Sequence, residues 1–96
     1  MKVRITIEYP QVMKMFLTNC VDVEDSIQLQ TFKQTALDRF WINLMKHIYM
    51  PPNGRHGTIQ DVFLFVENIE IVSDELLKEH LKTDAIFRVK FRDHPQ

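Results

Sequence analysis

A chain of 96 residues has room for one hydrophobic core, and a formal charge of −1 gives it no bulk attraction for polyanions such as nucleic acid. Apolar residues at 45% and charged residues at 26% exclude intrinsic disorder, and no run approaches the roughly 18 apolar residues of a membrane span. The one cysteine, Cys20, excludes an internal disulfide framework and fits a reducing compartment, so a soluble intracellular domain over residues 1–93 with a tail at 94–96 is expected.

From Lys2 to Tyr9 the chain alternates without error, with Val3, Ile5, Ile7 and Tyr9 on one face and Lys2, Arg4, Thr6 and Glu8 on the other. This is the pattern of a half-buried strand, and Pro10 ends it. After a turn at Pro10 and Gln11, the shared parity of Met13, Met15, Leu17, Val21 and Val23 predicts a second strand, hairpin-paired with the first. Asn19 interrupts that apolar register and is expected to mark a bulge. From about Ser26 the period changes: Leu29, Phe32, Ala36, Phe40, Leu44 and Ile48 fall three or four apart, one face of a long helix. Two starts fit, an early one capped by Asp25 or Ser26 and a later one with Thr31 and Gln34 as a capping box. The stop is expected at Met50, ahead of Pro51 and Pro52.

Both glycines, Gly54 and Gly57, lie in the loop-like segment Pro51–Thr58, expected to be the most mobile part of the chain. Asp61–Val66 then reads as a strand, Glu67-Asn68 as a turn and Ile69–Val72 as a short returning strand. Ser73-Asp74-Glu75 caps a short helix through Leu76, Leu77 and Leu81. Ala85–Arg92 closes the chain with Phe87, Val89 and Phe91 alternating against Arg88, Lys90 and Arg92. The order is β-β-α-β-β-short helix-β, an α+β arrangement. Two hairpins flanking one long amphipathic helix bury a single apolar sheet face only by wrapping it on that helix, with the first and last strands parallel neighbours at the sheet centre.

Side chains with catalytic or ligating capacity show no pattern. His47, His56, His80 and His94 have no ligand spacing with one another or with Cys20, which reads as a half-buried packing residue. Asn53-Gly54-Arg55-His56-Gly57 lacks the spacing and lysine of a phosphate-binding loop. Glu24 and Asp25 are adjacent in an open loop without the sheltered cleft that acid-base work needs. No cofactor, no metal and no enzymatic activity are expected. Trp41 reads either as widening the helix core face, the favoured reading, or as a partly exposed interface anchor; Phe63 and Phe65 have opposite parity to Val62, Leu64 and Val66, so one of the two sets looks outward unless covered, and an outward Phe pair would offer an apolar contact.

Charge is the informative feature. If the first and last strands are neighbours, Lys2, Arg4, Arg88, Lys90 and Arg92 share the outer sheet face. The acids Asp22, Glu24 and Asp25 follow the second strand, and Glu67, Glu70, Asp74 and Glu75 surround the second hairpin and its exit. A basic face on one copy and an acidic rim on the next would let copies join head to tail.

Met50-Pro51-Pro52 after the helix, Leu64-Phe65 before a turn, and Ser73-Asp74 before a short helix and last strand resemble ubiquitin-like (β-grasp) folds in the same order. No Gly-Gly pair follows the last strand, so docking rather than conjugation is expected. Val3-Arg4-Ile5-Thr6-Ile7-Glu8-Tyr9-Pro10 and His80-Leu81-Lys82-Thr83-Asp84-Ala85-Ile86-Phe87-Arg88-Val89-Lys90 resemble the opening and closing strands of the coilin N-terminal self-association domains. Family members tend to carry a Pro-Pro-x-Glu-Ser turn where this chain has Val72-Ser73-Asp74-Glu75-Leu76. The resemblance implies a non-enzymatic scaffold module of a nuclear-body (Cajal body) protein that binds itself. The alternative is a monomeric hetero-docking domain of the Ras-binding or ubiquitin-like adaptor type, whose cations meet an acidic patch on another protein. Nucleic acid is the weakest option, because the sequence assures no aromatic platform on that face and the net charge of −1 opposes it.

Overall fold

The structure, a computed structural model, describes residues 1–9, 15–47 and 58–91. Strands β1 (Lys2–Tyr9) and β2 (Met15–Asp22) form the first hairpin, α1 (Leu29–His47) follows, and β3 (Val62–Val66) pairs with the short β4 (Ile69–Glu70). The helix α2 (Asp74–His80) then leads to β5 (Ile86–Phe91). The fold is α+β, with one mixed sheet in the order β2-β1-β5-β3-β4.

The alternation of β1 is realised from Lys2 to Glu8, where Val3, Ile5 and Ile7 are completely buried, Lys2 and Arg4 are exposed, and Thr6 and Glu8 are half-buried. β2 runs antiparallel to β1 in unbroken register from Lys2↔Asp22 to Tyr9↔Met15, with Asn19 opposite Ile5. There is therefore no bulge at Asn19. A ladder is held by main-chain bonds, and on an edge strand a polar side chain is accommodated half-buried without shifting them. The same register corrects Cys20, which is exposed rather than half-buried: it stands opposite Arg4 and shares its outward parity.

β5 lies between β1 and β3, parallel to β1 (Arg4↔Ile86 to Ile7↔Val89) and antiparallel to β3 (Val62↔Phe91 to Phe65↔Arg88). Ala85, Phe87 and Val89 point into the core with Val62 and Leu64. α1 supplies Phe32, Ala36, Leu37 and Trp41 from the other side, and the rings of Phe32 and Phe87 meet at 4.9 Å between centroids. Trp41, 5% exposed, is core and not an interface anchor. Ile71 and Leu77 close the flank beside the second hairpin.

α1 begins at neither expected start. Its first residue, Leu29, donates its N–H to the Asp74 carboxylate at 2.6 Å, so the group that satisfies this helix terminus comes from the first turn of α2. Thr58 and Asp61 form a capping box around the 3-10 turn Ile59–Asp61, which delays β3 by one residue relative to expectation. Glu67 and Asn68 have φ of 49° and 72°, the two left-handed residues that a tight hairpin turn requires. Ser73 caps α2 as expected, its side-chain oxygen accepting from the Leu76 N–H at 3.2 Å. The predicted helix stop at Met50, the turn at Pro10–Gln11, Met13, the segment Pro51–Gly57 and Arg92 lie outside the described residues.

Candidate functional site

The outer sheet face is assembled row by row from the strand registers. Across the middle run Thr18, Thr6, Arg88, Phe65 and Glu70, on β2, β1, β5, β3 and β4 in turn. One row toward the start of β1 lie Cys20, Arg4 and Ile86, and beyond them Asp22 and Lys2. One row the other way, Glu8 of β1 flanks Lys90 of β5, which faces Phe63 of β3. The parallel pairing of β1 with β5 is thus what gathers Lys2, Arg4, Arg88 and Lys90 on a single surface; Arg92 lies outside the described residues.

These cations are not equivalent. Lys90 Nζ sits 3.9 Å from Glu8 Oε2 and 5.5 Å from the centroid of the Phe65 ring. Glu8 Oε2 is screened from solvent and accepts no hydrogen bond, so the nearby ammonium compensates its charge without bonding to it. Lys2, Arg4 and Arg88 are exposed and form no ion pair with the described residues. Beside them, Ile86 is 53% exposed, and Phe63 and Phe65 are half-buried on the same face. Thr6 and Thr18 join their hydroxyls at 3.1 Å. The surface therefore combines unpaired cations with a small apolar strip.

The acids divide into two groups. The registers bring Asp22, at the end of β2, and Glu67, in the β3–β4 turn, to the same end of the sheet, where β1 and β5 begin. Glu24 and Asp25 are exposed just past Asp22. Asp25 and Asp74 line one shallow depression with Ser26, Ile27, Gln28 and Lys78, which joins the turn after β2 to the start of α2. Glu75 is exposed in the first turn of α2. Two of these carboxylates already have work: Asp22 pairs with the Met1 ammonium at 3.1 Å, and Asp74 holds Leu29. Glu70 stands directly opposite Phe65, so it belongs to the outer face and not to the rim.

Three residues of this surface escaped the sequence reading. Glu8 and Ile86 show their place only once β1 and β5 are laid side by side, although Glu8 already carried the parity of Lys2 and Arg4. Asp84, exposed with φ of 67°, adds an acid at the acidic end and donates its N–H to the Lys2 carbonyl at 2.9 Å. Among the described residues no group of His, Cys, Asp and Glu is placed to hold a metal ion, and no helix is long and apolar enough to cross a membrane. Compared with known proteins, the chain matches no family model and no curated sequence.

Proposed function

We propose that the chain is a ubiquitin-like (β-grasp) domain of the coilin N-terminal kind, a non-enzymatic module that associates head to tail through its basic outer face and the acidic end of the next copy. The sheet order β2-β1-β5-β3-β4 with one long helix across one face supports the fold assignment. The observation that carries the function is the charge placement just described: Lys2, Arg4 and Arg88 form no ion pair with the described residues on a face that also holds Asp22, Glu8 and Glu70, while Glu24, Asp25, Glu67 and Asp84 add acids beyond the strand ends.

Magnitudes define what the contact needs. An exposed ion pair contributes roughly 0.2–1 kcal/mol, whereas even a millimolar contact needs about 4 kcal/mol. Several pairs must therefore act together with apolar burial, which the Ile86, Phe63 and Phe65 strip supplies. A heterologous contact of this type extends into chains unless its rotation closes a ring. It weakens as salt screens the charges.

Sedimentation velocity of the chain across a salt series tests the reading. Oligomers at low salt should disperse as salt rises, and Arg4→Glu with Arg88→Glu should give monomers at every salt concentration. Mixing that double variant with an Asp22→Lys, Asp25→Lys variant should restore only heterodimers, since each then keeps one working surface. A monomer at all salt concentrations would defeat the self-association reading in favour of docking to an acidic surface on a different protein.

A further inference from the structure

Exposed ion pairs alone fall short of a stable contact, so a head-to-tail interface needs apolar surface from both of its sides. Among the described residues three large apolar side chains are exposed: Ile69 at 47%, Val72 at 63% and Ile86 at 53%. Two of them belong to the outer face. Ile86 stands opposite Arg4 and two residues before Arg88 on β5, so two exposed cations flank it. For Val72 the register continues past β4: Phe65 faces Glu70, and the Ile71 N–H donates to the Leu64 carbonyl at 2.9 Å, which sets Val72 beside Phe63.

Ile69 lies apart from both. It begins β4 opposite Val66, directly after the tight turn of Glu67 and Asn68, at the end of the sheet that also holds Asp22. Strand positions alternate between the two faces, so Ile69 turns away from the outer face that Glu70 occupies. All four residues from Glu67 to Glu70 are exposed, which makes Ile69 an apolar point between two acids. The other acids of that end have no such neighbour: Val23, between Asp22 and Glu24, is buried, and Ile27, beyond Asp25, packs partly buried against the core. Off the outer face, Ile69 is therefore the one exposed large apolar side chain among the described residues.

We propose that Ile69 is the apolar anchor of the head-to-tail contact: it seats against Ile86 of the next copy, while Glu67 and Glu70 meet Arg4 and Arg88 of that copy. The inference rests on the head-to-tail reading and names its docking element, the β3–β4 turn. Charge selects a second copy as the occupant, since the turn and the face each present an aliphatic side chain between charges, and the two sets of charges are opposite in sign.

The dimensions agree. Around Ile86, the Arg4 Cα is one strand spacing away, about 4.8 Å, and the Arg88 Cα is two residues along, about 6.6 Å. Around Ile69, Glu70 is the next residue, about 3.8 Å at Cα, and Glu67 lies two residues before it in the turn. Each aliphatic centre thus has its two charges within about 7 Å, a span that glutamate and arginine side chains bridge when the centres touch. Asp84, two residues before Ile86, is acidic and exposed, so the cations occupy only the flank toward β1 and Arg88. That asymmetry fixes the direction in which the acids of the turn must point. Asp22, Glu24 and Asp25 add charge to the docking end without apolar area, and excluding water from around Ile69 and Ile86 strengthens the neighbouring ion pairs by lowering the local dielectric.

Sedimentation velocity at low salt tests the anchor. Ile69→Ser keeps every charge and leaves the core intact, so it should keep the circular dichroism spectrum and weaken association about tenfold. Ile86→Thr, which retains a β-branched residue in β5, should weaken it about as much. Val72→Ser removes the most exposed of the three side chains, yet should change association by less than about twofold. In a Cys20→Ser background, a mixture of Ile69→Cys with Ile86→Cys should form a covalent heterodimer on mild oxidation, because side chains in contact lie within disulfide reach, and neither variant alone should match its yield. Association that Ile69→Ser leaves unchanged, or a mixture that cross-links no more than either variant alone, overturns the anchor; where Arg4→Glu with Arg88→Glu still disperses that association, the head-to-tail reading stands without it. A monomer at low salt before any substitution overturns the reading and the anchor together.

Discussion

Replacing Asp74 by alanine removes the acceptor for the first N–H of α1, at 2.6 Å, although Asp74 belongs to a different helix. Loss of a helix-capping acceptor costs about 1 kcal/mol, within a range of roughly 0.5–2, and loss of the charge beside two helix N-termini adds about 0.3–1 kcal/mol. The sum is about 1–3 kcal/mol, and in a domain this small each kcal/mol lowers Tm by about 4–8 °C. Thermal and urea unfolding followed by circular dichroism would measure it. Asp74→Asn, which keeps an oxygen in place, should lose only the charge contribution. Glu75→Ala is the control: same turn and same exposure, but no bond to α1 among the described residues. Equal destabilisation by Asp74→Ala and Glu75→Ala would refute the cross-helix capping.

Phe87→Ala empties a fully buried position against Phe32 and should cost about 3–5 kcal/mol, read as a lower urea midpoint with an unchanged m-value. Glu67→Gly relieves a left-handed residue and should stabilise the hairpin by up to about 1 kcal/mol, seen as a raised Tm. Glu8→Gln removes the charge beside Lys90; stability should change by less than about 1 kcal/mol, while low-salt association strengthens because Lys90 becomes available. Sedimentation at low salt would read the second effect.

The legible parts of this fold were those with a strict local period. β1 alternates without exception and β5 does so from Phe87 onward, and the tight turn at Glu67-Asn68 is written in two adjacent residues. β2 was harder, since Asn19 and Cys20 break its apolar pattern while the ladder to β1 continues through them. The start of α1 was not legible at all, because its capping group lies 45 residues away in sequence. The candidate surface shows the same division. Lys2, Arg4, Arg88 and Lys90 followed from alternation plus the expected adjacency of the end strands. The engagement of Lys90 by Glu8 and Phe65, and the position of Glu70 on that face, depend on the relative stagger of neighbouring strands, which no local pattern encodes.

The central place of β5 also bears on how the chain is made. β1, β2 and α1 leave the ribosome long before the strand that seals Val3, Ile5 and Ile7 from water on one side. Until then the nascent hairpin carries an unsealed apolar seam, and distant strand pairing is slow to form. A stop codon before Ile86 would leave two sheet fragments in contact through α1 but without the strand that makes them one sheet.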